Sequence, residues 1–136
     1  MREPRIRSVE YELWRSIALG MPGSFEDFPF GPESAVFKVA GRDKTRAKMF
    51  GLLMHRNGVI NLNLKCDPAL AEQLRVANAQ ITPGYHMNKK HWNTVTPGLS
   101  EEMMHDLIED SYDLVVASLP RVEREALGWR RIIDRG

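Results

Sequence analysis

Asn57-Gly58-Val59-Ile60-Asn61-Leu62-Asn63-Leu64-Lys65-Cys66 decides the fold. Ile60, Leu62, Leu64 and Cys66 alternate with Val59, Asn61, Asn63 and Lys65. A strict period of two predicts a strand with one buried face and one wet face. Asn57-Gly58 is a strong two-residue hairpin signal. The strand must therefore pair antiparallel with the run before it, where Phe50, Leu52 and Met54 alternate with Met49, Gly51 and Leu53. Ala35, Phe37 and Val39 alternate with Val36, Lys38 and Ala40 and predict another strand upstream. Phe25, Phe28 and Phe30, set among Glu26, Asp27, Pro29 and Pro32, read as a short, irregular edge strand.

Helices flank these strands. Leu13, Trp14, Ile17 and Ala18 share one face of Val9–Leu19, with Ser8 as N-cap and Gly20 and Pro22 as terminators. Asp67-Pro68 reads as an N-cap with proline at the first helical position. That helix runs to about Val76, with Leu70 and Leu74 inward. His91–Val95 predicts one more strand. Ser100, followed by Glu101 and Glu102, caps a long helix that places Met104, Leu107, Ile108, Ser111, Val115 and Leu119 on one stripe. Its other stripe carries Glu102, Asp106, Glu109, Asp110 and Asp113. Pro120 stops it. The order α-β-β-β-β-α-β-α gives an α+β fold, a two-layer sandwich of a mainly antiparallel sheet with helices on one face. Residues 1–120 read as one domain and 121–136 as an Arg-rich tail.

Composition narrows the function classes. The chain has 136 residues, 43% hydrophobic and 27% charged, with a single cysteine. It is too short for two well-cored domains and has no apolar run near the ~20 residues of a membrane span. One cysteine excludes an intramolecular disulfide framework, so a cytoplasmic setting is expected. The formal net charge is +1, but its parts are unequal. By segment it is −2 over 1–33, +7 over 34–99, −6 over 100–119 and +2 over 120–136. Charge separated in this way can steer an anionic partner.

Three further strings stand out: Asp27-Phe28-Pro29-Phe30-Gly31-Pro32, Pro83-Gly84-Tyr85-His86-Met87-Asn88-Lys89-Lys90-His91-Trp92-Asn93-Thr94-Val95, and Ser111-Tyr112-Asp113-Leu114-Val115-Val116. With Asn63–Pro68 they resemble the MmcQ/YjbR family of small bacterial proteins over roughly residues 8–120. The resemblance implies a fold like CyaY and frataxin, and a DNA-binding role of the kind usually assigned to the family. The turn at 41–48 looks longer than is usual there, and the tail after Pro120 looks like an addition.

The residues themselves suggest how an anionic polymer would be held. Lys65, Lys89 and Lys90 suit phosphates, with Arg42, Lys44, Arg46 and Lys48 as auxiliary clamps on the long turn. His86, His91, Trp92 and Asn93 offer stacking and base-edge contacts. Asn61 and Asn63, unusual in a strand, would extend the surface on the wet face. The expected partner is DNA, bound without catalysis by a monomer or weak homodimer with no membrane attachment and no cofactor. Trp129, Ile132 and Ile133 would suit either a dimer or a tail packed on its own domain.

Two alternatives belong to other classes. An enzyme or binding protein for a small anionic or phosphorylated ligand would centre on Cys66, His86 and Lys89, where a Cys/His pair is conceivable. Alternation, however, puts Cys66 on the buried side with Leu62 and Leu64. A frataxin-like metal binder would use helix carboxylates such as Asp106 and Asp110. His86 and His91 are poorly spaced for zinc. No Gly-rich phosphate loop precedes a helix, and there is no Ser/His/Asp motif.

Overall fold

The computed structural model describes residues 9–85 and 87–128. The elements are α1 (Val9–Leu19), β1 (Ser24–Asp27), β2 (Ser34–Val39), β3 (Lys48–Arg56), β4 (Val59–Lys65), α2 (Pro68–Ala77), β5 (Ile81–Pro83), β6 (Trp92–Val95), α3 (Glu101–Ala117) and α4 (Arg121–Ala126). A single 3-10 turn, Lys44–Arg46, lies between β2 and β3. The six strands form one sheet in the order β1-β2-β3-β4-β6-β5, with every neighbouring pair antiparallel. The α+β architecture is as read from the sequence. No helix among the described residues is long and apolar enough to cross a membrane.

The β3–β4 hairpin follows from its turn. Asn57 and Gly58 both have positive φ, 54° and 78°, which suits a tight turn whose twist matches the strands. The register then pairs Leu53 with Leu62 and Gly51 with Leu64. These residues, with Ala35, Phe37 and Val39 of β2, face α1 and α3 and form the core with Trp14, Met104, Ile108, Val115 and Val116. The core is aromatic at its centre: the Phe50 ring meets Tyr112 edge-on at 5.4 Å and lies 6.4 Å from Phe37. The Tyr112 hydroxyl donates to the Pro22 carbonyl at 2.6 Å, and burial pushes its pKa up to about 12.

Ser111 belongs to the same buried stripe of α3, but its hydroxyl does more than pack. It donates to the Phe50 carbonyl (2.6 Å) and accepts from the Lys65 N–H (2.8 Å). Ladder pairing of β3 with β4 stops at Gly51 and Leu64. The hydroxyl bridges the two strands just beyond that point and satisfies backbone groups that burial would otherwise leave unpaired.

Several elements differ from the sequence reading. The edge strand ends at Asp27, and Phe28 and Phe30 lie exposed in the following turn. The Asp27 side chain accepts the Phe28 N–H at 2.9 Å, which turns the chain out of the sheet. Leu70 points outward, 38% exposed, while Ala71 is fully buried. β5 is too short, and contains Pro83, to register as a periodic strand. Residues 121–126 form α4. Ser8, His86, Trp129, Ile132 and Ile133 lie outside the described residues.

Candidate functional site

Alternating strand direction gathers the basic segments. β2, β4 and β5 run one way and β3 and β6 the other. The β2–β3 loop, the end of β4 at Lys65 and the β5–β6 loop therefore emerge at one end of the sheet. The β2–β3 loop carries Arg42, Lys44 and Arg46, all exposed. The β5–β6 loop carries Lys89 and Lys90, also exposed, and half-buried His91. Three inter-strand spacings separate the centres of the two loops, a width of roughly 15 Å.

Each loop is fixed by a side chain from elsewhere. In the β2–β3 loop, Glu123 of α4 is 1% exposed. Its Oε1 accepts the consecutive N–H groups of Gly41, Arg42 and Asp43 at 2.8, 3.0 and 3.1 Å. Hydrogen bonding from the Asp43 N–H, together with those of Gly41 and Arg42, holds the Glu123 carboxyl below the usual carboxylate range. Gly41 is required by contact: a Cβ there would stand 2.2 Å from the Glu123 carbonyl oxygen. Asp43 then caps the 3-10 turn, its Oδ1 accepting from the Thr45 N–H and hydroxyl.

In the β5–β6 loop the anchor is Arg75 of α2. Its Nε donates to Asn93 Oδ1 at 2.7 Å and its Nη2 donates to the Lys89 carbonyl. Within the loop, the Asn88 side chain accepts the Lys90 N–H and its carbonyl accepts from Trp92. The Lys89 ammonium reaches back to the Gly84 carbonyl at 2.9 Å.

The cations divide by what else they do. Lys48 donates to the carbonyl and hydroxyl of Ser118 and so caps the C-terminus of α3. Lys44 sits over the Phe25 ring at 4.9 Å, and Arg46 lies 3.8 Å from Asp43. Among the described residues, no acidic group pairs with Arg42, Lys65 or Lys90.

The asparagines are not where the alternation placed them. Asn61 and Asn63 do face away from α1 and α3, but they are 3% and 0% exposed. Asn63 is held there by its sheet neighbours, its amide nitrogen reaching Met54 Sδ at 3.7 Å. The Tyr85 N–H donates to Thr94 Oγ1 (2.8 Å), and the Thr94 hydroxyl donates to Asn63 Oδ1 (2.6 Å). The Arg56 guanidinium stacks on the Tyr85 ring at 3.5 Å. Asn61 Oδ1 is buried without a hydrogen-bond partner. Strand alternation separates two faces but cannot report that these residues of the second are buried as well. Asn93 is also buried, at 4%. It pairs with Leu64 on the helix-facing side and is held by Arg75, so it is no surface amide. Trp92, half-buried, pairs across from Lys65 at the sheet end.

Cys66 is 7% exposed and borders a cavity of about 10 Å³ with Leu64, Leu74, Asn93, Leu107 and Asp110. That space holds at most one water. Burial, followed by the nearby Asp110 and Asp67 carboxylates, pushes the thiol pKa up. This is the opposite of what a nucleophile requires. Glu101, Glu102, Asp106 and Glu109 of α3 are exposed, and Asp110 borders the Cys66 cavity. His105, Asp106 and Glu109 have ligand atoms within 4.8 Å of one another, all three residues exposed as on an ordinary solvated helix face.

Arg75, Ser111 and Glu123 were not legible as functional residues. Each acts through contacts between elements far apart in the chain, and although Ser111 stands in one of the strings quoted above, nothing local shows what its hydroxyl bonds.

Comparison with known proteins places this arrangement in a family. The chain is 41% identical over 117 residues to the protein YbdF of Escherichia coli O157:H7, covering 85% of this chain and 91% of that one. It is 33% identical over 104 residues to YyaQ of Bacillus subtilis (strain 168), covering 68% and 86%. The crystal structure of Deinococcus radiodurans protein DR2400, a DUF419 domain, superposes with a TM-score of 0.77 at 39% identity, covering 91% of this chain and 90% of that one. The YjbR family model matches residues 19–114, and the chain belongs to the YjbR family.

Proposed function

We propose that this protein is a non-catalytic nucleic-acid-binding protein that takes DNA phosphates at the cationic end of its sheet. The observation that carries this reading is the convergence there of Arg42, Lys65 and Lys90, which have no acidic partner among the described residues. Arg46, Lys44 and Lys89 stand in the same two loops and keep donors free for a second contact. A width of roughly 15 Å matches about four successive phosphates at 3.4 Å of rise each. The exposed Glu101, Glu102, Asp106 and Glu109 of α3 would repel the same polymer along that helix, which favours approach at the sheet end. Half-buried Trp92 and His91 lie beside Lys65 and Lys90 and could stack on an unpaired base at the edge.

The interface is narrower than the sequence suggested. Buried Asn61 and Asn63 take no part, and Lys48 holds α3. The test is fluorescence anisotropy of labelled single- and double-stranded oligonucleotides with Lys89→Ala/Lys90→Ala. Loss of two phosphate contacts should lower the slope of log K against log salt by about 1.8 for duplex. A double variant that binds as tightly as the parent at every salt concentration would sink the reading.

A further inference from the structure

We propose that Glu123 is a positioning residue for this interface: its buried carboxylate presets the β2–β3 loop so that Arg42, Lys44 and Arg46 meet phosphates as a formed contact. The proposal rests on the nucleic-acid reading above and adds α4 to the binding machinery.

Three consecutive backbone N–H groups converge on one carboxylate oxygen. Such an arrangement fixes the φ/ψ of the residues that carry them. The close approach of Gly41 to the Glu123 backbone leaves the loop no room to shift toward α4. Leu127, just after α4, would clash with a Cβ placed on Gly23, which lies opposite Ala40, so this segment packs on both strands at the Ser24–Val39 end of the β1–β2 ladder. Arg124 donates to the Leu119 carbonyl at 3.0 Å and ties α4 back to the end of α3. The loop's three cations are spent on none of this. The anchoring by Glu123 is done through backbone amides, and Arg42, Lys44 and Arg46 stay exposed. α4 lies beyond residue 114, where the YjbR match ends.

The sign of one effect separates positioning from plain electrostatics. Deleting an acid near a phosphate-binding surface ordinarily strengthens binding, because a repulsion is removed. If Glu123 positions the loop, deleting it must weaken binding. A preset contact avoids the entropy of ordering the loop on association.

The experiment is anisotropy with a fluorescein-labelled duplex on full-length wild type, Glu123→Ala and Arg42→Ala/Lys44→Ala/Arg46→Ala, at matched salt and with folding checked by circular dichroism. Glu123→Ala should bind three- to tenfold more weakly. Adding it to the triple variant should cost nothing further, since the two act as a unit. Amide exchange at 41–43 should accelerate at least tenfold in Glu123→Ala while the α3 core stays protected. Equal or tighter binding by Glu123→Ala overturns the positioning role alone. If that variant does not fold, Glu123→Met, which keeps the side chain's bulk but offers the N–H groups no oxygen, takes its place and must again bind more weakly; equal or tighter binding overturns the role. No duplex binding by wild type at low salt overturns the nucleic-acid reading itself, and exchange at 41–43 still reports whether Glu123 orders the loop.

Discussion

In the β2–β3 loop a carboxylate collects three amide protons from the loop backbone. In the β5–β6 loop, at the same end of the sheet, a guanidinium donates to a side-chain amide and a loop carbonyl. One loop is held by an acid taking hydrogen bonds and the other by a base giving them. Both anchors come from helices; Glu123 acts on backbone alone, and Arg75 on one backbone carbonyl and one side chain. The difference teaches how a cationic surface is kept ordered without consuming its cations. Where a loop's own cation is used, as with Lys89 on Gly84, that side chain has less left for a ligand.

The comparison can be broken most severely at Gly41. A methyl group there collides with backbone rather than with a flexible side chain. Gly41→Ala should destabilise the fold by about 3 kcal/mol, measured by urea denaturation, while the Arg75 contacts stay intact. A neutral result would mean that α4 is not wedged where the geometry puts it.

Arg75→Ala tests the other loop. It leaves the buried Asn93 amide unpaired and frees the Lys89 carbonyl. The expected cost is about 2 kcal/mol, with faster amide exchange confined to residues 84–91. Exchange that also rises at 41–43 would show the two loops to be coupled rather than independently anchored.

Acid sharpens the contrast with a smaller effect. The folded Glu123 carboxyl lies below its ordinary range. Its contribution is therefore complete above that range and is lost as pH falls through the folded value. A guanidinium does not titrate in this window. Lowering the pH below about 4 should loosen amides 41–43 before those of 84–91, read by exchange at matched intrinsic rates. Simultaneous loosening would assign the acid response to the whole fold.

How much of this was legible in the sequence follows the range of each signal. The hairpin at Asn57-Gly58, the capped helix after Asp67 and the stripe of α3 are local patterns, and the structure has them. The placement of Cys66 on the buried side followed from alternation alone. The lysines of the β5–β6 loop were legible because charge density is visible in one dimension. Asn61 and Asn63 were misplaced because their burial depends on other parts of the chain, Asn63 on Thr94 and Met54. Glu123 was invisible for a related reason: in the sequence it is one acid among arginines, and only the fold brings it to Gly41.

The most direct test of the central claim is the salt dependence of duplex binding by the wild-type protein. For six phosphate contacts, made by Arg42, Lys44, Arg46, Lys65, Lys89 and Lys90, affinity should fall about a thousandfold between roughly 50 and 200 mM salt. Binding that is absent at the lower salt concentration, or that does not change between the two, would contradict a phosphate-binding end of the sheet.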